Sequence, residues 1–134
     1  MAVIPMVSYE DVDAMIPWLE KAFGFEERER FEDEGRVTHA ILDFEGAELH
    51  VGWPGPDYRS PTSHATMCET ARKLLETPYV FDGVLVTVAD VDAHYARARD
   101  AGATVVNELR ETPFGRLYSA ADAEGHRWMF ESRP

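Results

Sequence analysis

The feature that most constrains this chain is an internal repeat. Asp11-Val12-Asp13-Ala14 recurs as Asp90-Val91-Asp92-Ala93, and each copy follows a short apolar strand candidate, Val3 to Tyr9 in one case and Val84 to Val88 in the other. A unit repeated in tandem restricts the fold more tightly than any single motif, because each copy must build the same supersecondary structure. Each copy opens a helix. Asp11 and Asp90 are suited to N-caps, and the acidic first turns match the positive end of the helix dipole. Val12, Met15, Ile16, Leu19 and Phe23 recur at helical spacing in the first copy, as do Val91, Tyr95 and Ala98 in the second. Gly24 and Gly102 follow, where a left-handed C-terminal cap favours glycine.

Three strand candidates come after each helix. They are Phe25 to Phe31, Val37 to Phe44 and Ala47 to Trp53 in the first copy, and Thr104 to Leu109, Arg116 to Ala121 and His126 to Glu131 in the second. The turns between them correspond, Gly35 with Gly115 and Gly46 with Gly125. The expectation is one α+β domain over 1–134, made of two tandem βαβββ modules. The first covers about 1–53, the second about 83–134, and a linker of about 54–82 joins them. The linker begins with the Pro/Gly-rich stretch from Trp53 to Pro61, which must be loop. A helix is predicted from about Ser63 to Glu76, since Met67, Ala71, Leu74 and Leu75 share a face and Pro78 blocks continuation.

Composition narrows the function classes. With 134 residues, 45% apolar and 11% aromatic, the chain can close the core of one domain. No apolar run approaches the roughly 20 residues of a membrane span, and the start lacks a secretory pattern. The expectation is therefore a cytoplasmic protein with no membrane partner. The lone Cys68 excludes an internal disulfide and reads as a half-buried helix residue. A net charge of −12 argues against nucleic acid, which is bound through clustered Lys and Arg. No Gly-x-Gly-x-x-Gly, phosphate loop or Gly-x-Ser-x-Gly elbow occurs. A small-molecule ligand is the expected partner.

The openings Tyr9-Glu10-Asp11-Val12-Asp13-Ala14 through Phe23-Gly24-Phe25 and Val88-Ala89-Asp90-Val91-Asp92-Ala93 through Ala101-Gly102-Ala103 resemble those of the vicinal-oxygen-chelate superfamily. That superfamily includes glyoxalase I, bleomycin-resistance proteins and extradiol dioxygenases. The tail Asp122-Ala123-Glu124-Gly125-His126-Arg127-Trp128-Met129-Phe130 is similar to its last hairpin, and most resembles the PhnB-type branch. The resemblance implies a cupped sheet from each module, a homodimer, and in metal-dependent members four ligands from the first and last strand of each module. Counting along this chain puts those positions at Ile4 or Pro5, about Gly83, His50 and Met129, of which His50 alone suits a divalent ion.

The leading expectation is accordingly a small-molecule-binding protein without the standard metal site and with no cofactor, taking a hydrophobic or aromatic ligand. The alternative is a glyoxalase-type lyase or isomerase with a divalent metal such as Zn, Ni, Mn or Fe in a rearranged site around Glu48 and His50, drawing on His39 and Glu131. The candidate ligand-binding residues are His39, Glu48, His50, Trp53, Tyr58, Met129 and Glu131. His50 and His39 read either as pocket acid–base groups or as hydrogen-bonded strand residues. Glu48 shares a strand face with His50, and Glu131 with Met129. Trp53 and Tyr58 start the linker, where rigid aromatics can close over a flat ligand. Trp128 and Phe130 are expected in the core, His126 in a hairpin, His64 at a helix start, and His94 on the exposed side of its helix. No catalytic residue is assigned.

Overall fold

In the computed structural model, which describes residues 1–79 and 81–134, the first helix forms where its caps and apolar stripe agree. Helix α1 spans Val12–Phe23. Asp11 accepts a hydrogen bond from the Ala14 amide, and Gly24 ends the helix at φ 84°, donating to the carbonyls of Glu20 and Leu19. Val12, Met15, Ile16, Leu19, Ala22 and Phe23 form its buried face, the i, i+3, i+4 and i+7 pattern of an amphipathic helix. The strands of the first module are β1 (Met6–Ser8), β2 (Glu26–Asp33), β3 (Arg36–Phe44) and β4 (Ala47–Gly52).

The linker holds α2 (Pro61–Ala65) and α3 (Glu69–Leu75), two short helices where the apolar spacing predicts one. The chain turns at 66–68, and Cys68 stands at the N-cap of α3 without a capping side-chain bond. The second module repeats the first as β5 (Gly83–Thr87), α4 (Val91–Asp100), β6 (Thr104–Thr112), β7 (Gly115–Ala121) and β8 (Arg127–Ser132). Asp90 caps α4 through the Ala93 amide, as Asp11 caps α1.

The two sheets have matching orders, β1-β4-β3-β2 and β5-β8-β7-β6. In each, the opening strand runs parallel to the last, and the other pairs are antiparallel. One face of each sheet packs on the helices around a shared core that contains Tyr9, Phe23, Phe25, Tyr118, Trp128 and Phe130. Trp128 and Phe130 are fully buried there, as strand alternation predicts.

Module 2 also satisfies the carbonyls at the end of α1. Arg97 donates to Glu20 and Lys21, and His94 Nε2 donates to Phe23. His94 is therefore buried, contrary to the exposed position expected for it. It lies on the Val91 and Ala98 face of α4, and its Nδ1 accepts from the Tyr118 hydroxyl at 2.7 Å. Asp122 ties the modules together, accepting from Tyr9 at 2.6 Å and from Trp128 Nε1 at 3.0 Å. The linker approaches so closely at Gly125 that an added Cβ would meet the Thr62 side chain at 2.7 Å, and φ there is +94°.

Candidate functional site

The outer face of the first sheet gathers the candidate residues. Leu49 and Val51 of β4, with Ala40 and Leu42 of β3, point into the core. Alternation then turns Glu48, His50 and Gly52 of β4, with His39, Ile41 and Asp43 of β3, to the other side. The register pairs His39 with Gly52, Ile41 with His50 and Asp43 with Glu48. Phe31 of β2 lies beside His39, and Met6 of β1 beside His50.

His39, His50 and Glu48 form a hydrogen-bonded chain. His39 Nε2 lies 2.9 Å from His50 Nδ1, and His50 Nε2 lies 2.7 Å from Glu48 Oε1. A carboxylate accepts only, so His50 donates from Nε2, and in the neutral ring Nδ1 accepts from His39 Nε2–H. His39 Nδ1 is left as an acceptor with no protein partner. Arg28 holds the far end, 2.6 Å from Asp43 and 3.7 Å from Glu48 Oε2. The Phe31 ring sits 5.9 Å from that of His39, with 44% of Phe31 and 74% of Met6 exposed. Phe31, Met6, Arg28 and Gly52 escaped the sequence reading, because only the register reveals them as neighbours of the two histidines.

The other candidates are placed differently. Trp53 follows Val51 on the core side of the sheet, packed against the core under the Arg36 guanidinium, 4.0 Å from its ring centre. The Tyr58 hydroxyl donates to the Ser8 carbonyl at 3.1 Å and lies 3.2 Å from His126 Nε2, which itself donates to Ser8. Burial, with Glu124, Glu10 and Asp122 nearby, pushes the Tyr58 pKa up to about 12. Tyr58 borders a groove of about 490 Å³ between the β1 and β5 edges, with Met6, Ser8, Gly83 and His126.

Met129 and Glu131 are on β8 of the second sheet, beside Leu85 and Thr87 respectively. Glu131 is nearly buried and pairs with Arg133 at 2.9 Å. The linker crosses this sheet's outer face. Arg127 donates to the carbonyls of Leu75, Thr77 and Tyr79, and Asn107 bonds both Pro78 and Ser119. Arg127 is 4% exposed, burial lowers its pKa, and its Nε has no partner.

The sequence signature of the Glyoxalase/Bleomycin resistance protein/Dioxygenase superfamily matches residues 4–130. The chain belongs to this superfamily. An uncharacterized protein of Mycobacterium bovis is 33% identical over 129 residues, 95% of this chain and 80% of the relative. Among solved structures, TioX from Micromonospora sp. ML1 superposes with a TM-score of 0.73 at 30% identity, covering 100% of this chain and 97% of that one. TnmS3 from Streptomyces sp. CB03234, described as an antibiotic binding protein, has a TM-score of 0.65 at 19% identity and covers 100% and 98%.

For a superfamily that includes metal-dependent members, the donor set is informative. The observed register identifies the cross-strand partners of His50 and Met129. Met6, not Ile4 or Pro5, pairs with His50, and Leu85, not Gly83, pairs with Met129. The four side chains are thus two thioethers, an aliphatic chain and one imidazole, which do not fit a divalent ion that needs three or more His or carboxylate donors. Both ring nitrogens of His50 are spent on Glu48 and His39, Glu131 lies on the other sheet, and among the described residues no three His, Cys, Asp or Glu side chains form a metal-binding group. No described helix is long and apolar enough to cross a membrane.

Proposed function

We propose that this chain binds a flat apolar or aromatic small molecule of antibiotic-like character on the outer face of its first sheet, and sequesters it without the standard divalent site of its superfamily. The observation that carries this reading is the exposed Phe31 and Met6 on either side of the His39–His50–Glu48 chain. Apolar area beside a few fixed polar groups is the make-up of a ligand site. The description of TnmS3 as an antibiotic binding protein is consistent with it. A second copy of the chain supplies the remaining wall in this reading, since Met6, Phe31 and Leu85 otherwise leave large apolar side chains in water.

The test uses 1-methoxypyrene, a flat apolar fluorophore. Its binding is expected to shift the amide signals of Phe31, His39 and His50 and to weaken in Phe31→Ala by about 1–2 kcal/mol, the value of a lost aromatic contact. Elemental analysis of protein purified without chelator should find well under one equivalent of Zn, Ni, Mn or Fe. Stoichiometric metal lost together in His50→Ala and Glu48→Ala, or probe shifts confined to other surfaces, would overturn the reading.

A further inference from the structure

The His39–His50–Glu48 chain has a direction, and the direction selects the ligand. Glu48 accepts from His50 Nε2–H, and with the His50 ring neutral its Nδ1 is left to accept from His39 Nε2–H. With His39 neutral, its outer atom Nδ1 is an unshielded lone pair. The residue opposite it keeps it uncovered. Gly52 pairs with His39 across the ladder, and a Cβ built at Gly52 would stand 3.5 Å from His39 Nδ1, in ordinary contact with it. Gly52 has no positive φ to require glycine, and the position a Cβ would take, 3.5 Å from the nitrogen, is left unfilled. Phe31 lies next to the same ring, with its own ring centre 5.9 Å away.

We infer that this site recognises flat aromatic compounds bearing a hydroxyl of phenol or enol type, whose O–H donates to His39 Nδ1 while the ring system rests against Phe31. The inference deepens the proposed function and rests on it. His39 is the contact residue. His50 and Glu48 are positioning residues that hold the His39 proton on the inner nitrogen, and Arg28 orients Glu48 through its contacts with Glu48 and Asp43. A ligand whose oxygen is methylated cannot donate and leaves Nδ1 buried without a partner, so it binds less tightly.

The experiment compares 1-hydroxypyrene with 1-methoxypyrene by fluorescence titration at pH 8. The wild-type protein is expected to prefer 1-hydroxypyrene by about tenfold. His39→Phe, which keeps a flat ring without the nitrogen, and Gly52→Ala, which covers it, should reduce the preference to below twofold while 1-methoxypyrene binds much as before. Glu48→Ala should reduce the preference, and Glu48→Gln, whose amide oxygen still accepts from His50, should restore most of it. A purely structural role for Glu48 would not produce this rescue. Equal affinity for the two probes in the wild type, or a preference that survives in both His39→Phe and Gly52→Ala, overturns the inference and leaves the proposed function standing. Failure of both probes to bind the first sheet overturns both.

Discussion

Replacing Asp122 with alanine should cost more stability than any single core methylene. Asp122 is 4% exposed and accepts four hydrogen bonds: from Tyr9 Oη at 2.6 Å, Trp128 Nε1 at 3.0 Å, and the amides of Glu124 and His126, both at 3.0 Å. Tyr9 and Trp128 are fully buried, so their donors have no water to turn to once the carboxylate is gone. Each buried donor left unpaired costs about 1–3 kcal/mol, and the two turn amides, reachable by water, add a fraction of that. The sum is about 3–5 kcal/mol, a large share of the roughly 5–15 kcal/mol typical of a domain. At this chain length it corresponds to a fall in Tm of roughly 10–20 °C.

Urea titration followed by circular dichroism, with calorimetry alongside, measures the loss. Because the two modules share one hydrophobic core, both should still unfold in one transition of lower midpoint. Asp122→Asn keeps an acceptor for the turn amides but sets an N–H against the Trp128 donor, so about half the loss is expected. A loss below about 1 kcal/mol in Asp122→Ala, at unchanged m-value, would refute the claim that this carboxylate joins the modules.

Burial lowers the His94 pKa, so the unfolded chain, near 6.5, takes up the proton first. The stability that neutral His94 contributes is present above about pH 6.5 and lost as pH falls toward the lowered folded value. Between pH 7.5 and 5.5 the wild type should therefore lose more Tm than His94→Gln, and an equal or larger loss in the variant would contradict the sign. Arg127→Met should speed amide exchange in residues 75–79 by about tenfold or more while leaving β3 and β4 protected, because only the linker's anchor is removed. Unchanged exchange would show that other contacts hold the linker down. Light scattering at micromolar concentration is expected to give twice the 15.1 kDa chain mass, and only the single mass would exclude the second copy as a wall of the site.

Much of this architecture was legible locally. The repeated Asp-Val-Asp-Ala marks both helix starts because an N-cap needs only a side chain and an amide three residues on, and the 3.6-residue spacing of Val12, Met15, Ile16 and Leu19 marks the buried stripe. Alternation alone put Trp128 and Phe130 in the core, and put Glu48 and His50 on one face. Those are properties of neighbours along the chain. What pairs across the sheet is not. The residue beside His50 is Met6 because β1 joins β4 in a register fixed by the packing of the whole module, which counting along the chain from Asp11 does not reveal.

His94 had the right spacing with Val91 and Ala98 to be buried, but its polarity argued for water. Only the Tyr118 hydroxyl and the Phe23 carbonyl, from distant parts of the chain, replace the hydrogen bonds it gives up. Trp53 and the linker's course over the second sheet were likewise decided by partners remote in sequence, Arg36 in one case and Arg127 in the other. Local pattern determined which elements form and which face of each is apolar. Tertiary structure decided which polar side chains meet, because a hydrogen bond between His39 and His50 depends on strand register to within one residue, and a shift of one would turn either ring to the opposite face of the sheet.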